Sequence, residues 1–270
     1  MYPLAYTCAM SESTRHDAPF VWPSVRSVDA RAPWRWLRQG WDDLRAAPAP
    51  GLFYGAVLAA MGFLLTRYYA GAIGLALTTG FLLVGPFLAI GLYEVSRRRA
   101  RGEVVALAPT LTAWKANLPS IGFYALILTL SLAVWIRVSV VVVALFFPDG
   151  TPTVVEFVAE LGRSPDAWGF LLAYAAAGAG LALLVFATSA VSLPMLLDRE
   201  KMDVVSAMIV SFNVLRTNFR PMLIWGAIIV VLTALGFASL FLGLIIALPV
   251  IGHATWHAYR ETVAPAHDAS

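Results

Sequence analysis

The sequence predicts an all-α polytopic membrane helical bundle: six transmembrane helices in three pseudo-repeated hairpins, with interfacial amphipathic helices between them. Three observations predict it. Long apolar stretches run from Gly51 to Tyr259, broken only by short charged segments. Of the 270 residues, 60% are hydrophobic and 13% charged, with a mean hydropathy of +0.76; a hydrocarbon core roughly 30 Å thick needs about 20 apolar residues per helical crossing. Basic residues also fall in alternate connections, which is the pattern that orients membrane helices.

The elements follow in order. Residues 1–32 mix Ser, Pro, Arg and Asp without a sustained period and read as a disordered cytoplasmic tail. Pro33 opens a stretch in which Trp34, Leu37, Trp41 and Leu44 recur at helical spacing, with Arg35, Arg38, Asp42 and Arg45 elsewhere around the helix. That pattern predicts an amphipathic helix lying in the membrane interface. Pro48 and Pro50 end it, and spans follow at about 51–66 and 71–96. After the basic cluster Arg97–Arg101, a second stripe (Leu107, Leu111, Trp114, Leu118) precedes a span at about 120–147. A fourth span follows the acidic connection 147–168, its small residues Ala173, Ala177, Gly178, Gly180 and Ala182 permitting close packing against another helix of the bundle. A third stripe (Val205, Met208, Phe212, Leu215, Phe219) precedes the last apolar run, Met222 to about Tyr259. As one helix that run would measure roughly 57 Å, so it must fold back, around Gly236 to Leu240.

Each unit thus repeats amphipathic helix, proline, outward helix, inward helix, with Pro86, Pro194 and Pro249 near the cytoplasmic ends of the inward helices. The membrane domain is accordingly read as 33–261, with pseudo-repeats 33–99, 104–200 and 201–261, followed by a short tail at 262–270. Basic residues crowd 1–50, 96–119 and 198–220, whereas the opposite connections carry Arg67 and Arg163 and the acidic Asp149, Glu156, Glu160 and Asp166. The expected topology is multi-pass with both termini cytoplasmic.

Five stretches resemble a family of bacterial integral membrane proteins catalogued as domain of unknown function 2189. They are Arg38–Gly55 (RQGWDDLRAAPAPGLFYG), Phe81–Glu103 (FLLVGPFLAIGLYEVSRRRARGE), Trp135–Phe147 (WIRVSVVVVALFF), Ala190–Arg199 (AVSLPMLLDR) and Gly252–Arg260 (GHATWHAYR). The resemblance implies a protein of the bacterial inner membrane, and implies class rather than activity.

The candidate polar site comprises Glu94, Arg137, Asp198, His253 and His257. A guanidinium inside an apolar span is costly unless paired or hydrated, so Arg137 either snorkels outward or meets a partner near mid-membrane. His253 and His257 are i, i+4 and face one side of the last helix. If the repeat holds, Glu94, eight residues after Pro86, matches His257, eight after Pro249, and a carboxylate should meet an imidazole. Asp198, four after Pro194, matches His253. Such a cluster could bind a cation or pass a proton; the alternative is local hydrogen bonding at headgroup level.

Two histidines are not a metal site, Cys8 is the single cysteine and reads as a spectator thiol, and His16, His253, His257 and His267 are too few for a heme-copper core. No cofactor or metal is expected. No G-x-S-x-G, H-E-x-x-H or Walker pattern is present, so the chain is not expected to be an enzyme. Its expected partners are the lipid bilayer and another membrane protein or complex, with no nucleic acid. The leading reading is a non-enzymatic scaffold or accessory protein; the alternative is a small transporter or channel.

Overall fold

Helices carry nearly all the structure, a computed structural model that describes residues 22–67, 87–148, 165–199 and 201–265. The first helix, α1 (Ala32–Ala46), begins with a proline in its first turn, where the missing N–H is not needed. Pro48 then starts α2 (Pro48–Arg67) one residue later. Helix α3 covers 87–100 and ends where Gly102 turns left-handed (φ +69), letting Glu103 N–H donate to the Arg98 carbonyl at 2.9 Å. Next come α4 (Leu107–Thr110), a 3-10 turn (Ala113–Asn117) and the long α5 (Leu118–Phe146). The remainder is α6 (Pro165–Ser189), α7 (Ser192–Asp198), α8 (Val204–Thr217), α9 (Phe219–Ala238) and α10 (Leu244–Thr262).

Among the described residues, four stretches are long and apolar enough to cross a membrane: Pro48–Leu65, Leu107–Phe146, Asp166–Asp198 and Phe219–Ala238. Six were expected. The second expected span, 71–96, lies largely outside the described residues, with only its end seen in α3. The sixth coincides with α10, which does follow a fold-back at the expected place but is not apolar enough over its length. Its second half carries His253, Thr255, His257, Arg260 and Glu261 and packs inside protein.

The core sits at one end of the molecule, the packed end. Trp36 of α1, Trp225 of α9 and Trp256 and Tyr259 of α10 are buried there with Met195, Leu196 and Leu197 of α7. The Trp36 and Trp225 rings meet edge to face at 6.0 Å, a geometry worth about 0.5–1.5 kcal/mol beyond buried area. Away from this end, α5 exposes Leu126, Leu130, Val134, Val140 and Leu145. A surface so apolar is that of a helix surrounded by lipid.

On both interfacial helices the face that meets protein is largely distinct from the apolar stripe expected at the membrane interface, although Leu44 and Leu215 of those stripes are buried. On α1 the buried residues are Trp36, Gly40, Asp43 and Leu44, while Trp34 of the expected stripe is 60% exposed. On α8, Val205 and Phe212 are likewise exposed, and the buried face is Val204, Ala207, Val210 and Val214. Each helix therefore has one apolar face against protein and a second apolar face open. The middle stripe is not one helix: Pro109 lies in α4, and Asn117 leaves the 3-10 turn to donate to the carbonyls of Leu196 (3.3 Å) and Met202 (3.0 Å).

The last part of the expected tail, 22–31, is held in place. Val25 pairs with Val263, and Asn218 brackets the segment by accepting from Val28 N–H (2.7 Å) and donating to the Arg26 carbonyl (3.0 Å). Residues 1–21, with Cys8 and His16, lie outside the described residues, as do Pro86, the acidic residues Asp149, Glu156 and Glu160, and His267.

Candidate functional site

At the packed end α1, α3 and α10 converge because glycines let their backbones approach. A Cβ on Gly40 would meet the Val250 carbonyl at 2.6 Å, and one on Gly252 would meet Leu92 Cδ1 at 2.7 Å. This convergence places Asp43 against α3 and α10 together. Its carboxylate accepts from Arg99 and, at 2.8 Å, pairs with His257 Nε2. Burial alone would push the Asp43 carboxyl up, but hydrogen bonds from His257 and Ser96 and the nearby imidazoles outweigh it and hold the group below the usual carboxylate range.

Ser96 continues the chain to His253. The His253 Nδ1 lies 3.1 Å from the Leu92 carbonyl, which can only accept, so Nδ1 carries a proton. The Ser96 hydroxyl oxygen, 2.9 Å from the same Nδ1, then accepts as well and keeps its own proton for Asp43. Among the described residues, Nε2 of the fully buried His253 has no hydrogen-bond partner.

The expected meeting of carboxylate and imidazole therefore occurs, with a different carboxylate. Glu94 is buried but turns to its own helix, accepting from Arg97 Nε at 2.6 Å and Arg98 Nε at 2.7 Å; Arg97 also donates to the Leu197 carbonyl at 3.0 Å. An arginine three or four residues along the same turn needs no neighbouring helix to reach it, and it outcompetes the distant imidazole. Asp198 forms a separate group, accepting from the Tyr259 hydroxyl at 2.8 Å and Arg260 at 3.3 Å, with Arg101 at 3.7 Å. Arg137 belongs to neither. It is exposed on α5 and has no hydrogen bond or ion pair among the described residues.

Asp43 and Ser96 are absent from the sequence-derived site. The signal that could have found Asp43 is its spacing, seven after Trp36 and three after Gly40, which puts a carboxylate on the face of α1 that carries the small residue. No three His, Cys, Asp or Glu among the described residues stand as metal ligands. An apolar groove of about 730 Å³ runs between α1, α9 and α10, lined by Trp34, Leu37, Trp41, Leu235 and Ile246 with Arg38 at its edge. A second, of about 420 Å³, lies between α5 and α6 around Trp135 and Gly178. Neither groove is lined by Asp43, Glu94, His253 or His257.

Helices with lipid-facing flanks, joined by a charge-locked end, define a class: a helical membrane protein. Residues 74–198 match the family described as predicted integral membrane protein (DUF2189). That stretch contains the Phe81–Glu103 and Trp135–Phe147 segments and all but the last residue of Ala190–Arg199, while Arg38–Gly55 and Gly252–Arg260 lie outside it. No curated protein and no solved structure matches the chain.

Proposed function

We propose that this protein is a non-enzymatic scaffold or accessory protein of the bacterial inner membrane, with both termini in the cytoplasm, that docks another membrane protein through its interfacial helices. The observation that carries this reading is the closure of the packed end. Asp43, Glu94 and Asp198 are each held by arginine, histidine or tyrosine side chains, so these carboxylates are engaged in ion pairs and hydrogen bonds that lock the packed end. What remains open is apolar: Trp34 and Trp41 on α1, Val205, Ile209 and Phe212 on α8. The order interfacial helix, outgoing helix, returning helix in α1–α2–α3, α4–α5–α6 and α8–α9–α10 supports reading 33–99, 104–200 and 201–261 as pseudo-repeats.

A photo-crosslinking residue placed at Trp34 or Phe212 in native membranes tests this reading. A discrete protein adduct is expected, the same one from both positions; adducts to lipid alone would remove the scaffold role. The buried, unpartnered Nε2 of His253, joined through Ser96 to Asp43, favours one second reading, a proton-coupled transporter or channel. Proteoliposomes holding a pH gradient decide it, because the scaffold reading expects no dissipation, while dissipation lost in Asp43→Asn and His257→Ala would establish the transporter.

A further inference from the structure

From Met222 to Gly252 the chain carries no charged residue, and the turn in the middle of this run, between α9 and α10, is built for an apolar surrounding. Leu240 is 80% and Leu242 70% exposed, with Phe237 beside them. Leu240 and Phe241 adopt left-handed backbone (φ 54 and 70), a conformation that favours glycine and disfavours residues with a Cβ. Large apolar side chains occupy it nonetheless.

The turn also leaves no backbone N–H for water to satisfy. Those of Ser239, Leu240, Phe241 and Leu242 donate to the carbonyls of Leu235, Phe237, Gly236 and Ser239 at 3.0–3.2 Å. The Gly243 N–H donates to Ser239 Oγ at 2.8 Å, and that hydroxyl donates to the Gly236 carbonyl at 2.8 Å. These bonds remove from the turn the unsatisfied N–H groups that would each cost free energy away from water.

Depth follows from packing. Helix α1 exposes Arg35, Arg38, Asp42 and Arg45 and therefore lies no deeper than the headgroups. Yet its Gly40 touches α10 at Val250 and Ala254, six and ten residues from the start of α10 at Leu244. At 1.5 Å per residue the hairpin rises only about 9–15 Å above that contact. A second ruler agrees: Phe241 packs on Gly62 and Phe63 of α2, about 18 Å above Gly51 and four residues short of Arg67. Both values fall well below the roughly 30 Å of hydrocarbon.

We propose that α9 and α10 form a re-entrant hairpin, which enters and leaves the membrane on the side where α1 lies and holds its Phe237–Leu242 tip among lipid acyl chains. Helix α9 has the length of a span, but its first third, with Trp225 beside Trp36, whose ring N–H donates to Glu261, belongs to the packed end.

In the full chain carrying Cys8→Ser, single cysteines at Leu240, at Leu242, at Phe147 beyond α5 and at Gln39 on the exposed face of α1 test the proposal. A membrane-impermeant maleimide is expected to reach the Phe147 and Gln39 positions from opposite sides and the two tip positions from neither. A nitroxide at either tip position is expected to collide with oxygen far more than with a polar nickel chelate. Maleimide labelling of the tip from the Phe147 side would show a full crossing, and labelling from the Gln39 side a hairpin in water; either overturns the proposal. A nitroxide reached by neither quencher would show a tip covered by protein, and overturns it too.

Discussion

Asp43 shows how much one carboxylate can organise. It is the residue through which α1, α3 and α10 share charge, and its side chain is only 6% exposed. Removing one partner from a wholly buried pair costs about 3–5 kcal/mol; since Arg99 is 37% exposed, Asp43→Asn is expected to cost less, about 2–3 kcal/mol, in thermal unfolding of the detergent-solubilised protein. The pH dependence has a definite sign. Because the folded carboxyl lies below its ordinary value, its contribution is complete above about pH 4 and is lost as pH falls through the folded value. Wild type should therefore lose stability on that acid side, and Asp43→Asn should flatten this part of the profile; an unchanged acid slope would show that Asp43 does not tie the three helices together. The sequence made His253 and His257 legible through their i, i+4 spacing, and foretold a carboxylate beside an imidazole. Which carboxylate it did not tell, because Glu94 is captured by arginines in its own turn, while Asp43 reaches the imidazole only after α1 folds across α10.

The helices meet where glycine stands, and the spacing of small residues alone does not reveal which glycines matter. The expected cluster on α6 includes Gly178, which does face Trp135 of α5, but also Gly180, where an added Cβ would touch nothing within 4 Å. The tight contacts are elsewhere: at Gly40, and at Gly55, where a Cβ would come within 2.1 Å of the Ile245 carbonyl. Gly40→Ala must push α1 off the backbone of α10, since neither the Val250 carbonyl nor the Ala254 amide can yield as a flexible side chain would. A loss of about 1–3 kcal/mol is expected, read by fluorescence of the buried Trp36, Trp225 and Trp256. Gly180→Ala is expected to be neutral or stabilising by up to about 1 kcal/mol, since alanine favours helix; equal losses at both positions would show that general helix effects, not contact, govern this bundle. Helix periodicity located α1 and α8 and the apolar stripe each was expected to turn to the membrane interface, but not the second apolar face that meets protein. Both faces of each helix are apolar, and a single stripe cannot say which one meets protein.

At the scale of the molecule the sequence predicts six crossings with both termini on one side, and apolar length alone does not fix that number. Apolar length predicts a pair of spans from Met222 to Tyr259, yet length carries no information about the level at which α1 anchors the pair. That level is set by Gly40 against Val250 and Ala254, a contact between residues more than two hundred positions apart. A hairpin that returns to its side of entry changes the count from six to four without moving either terminus, so the basic residues at Arg97–Arg101 and at Arg199, Lys201, Arg216 and Arg220 constrain both arrangements equally. Topology reporters separate what charge cannot. A reporter fused after Phe147 is expected to be active only in its extracytoplasmic form, and one fused after Arg260 only in its cytoplasmic form. Reversal at Phe147 would invert the molecule, and an extracytoplasmic signal at Arg260 would require an odd number of crossings. That second result would place the Asp43–His257 pair and the Val25–Val263 pairing on opposite sides of a membrane from their own partners, which the packing of α1 on α10 does not permit.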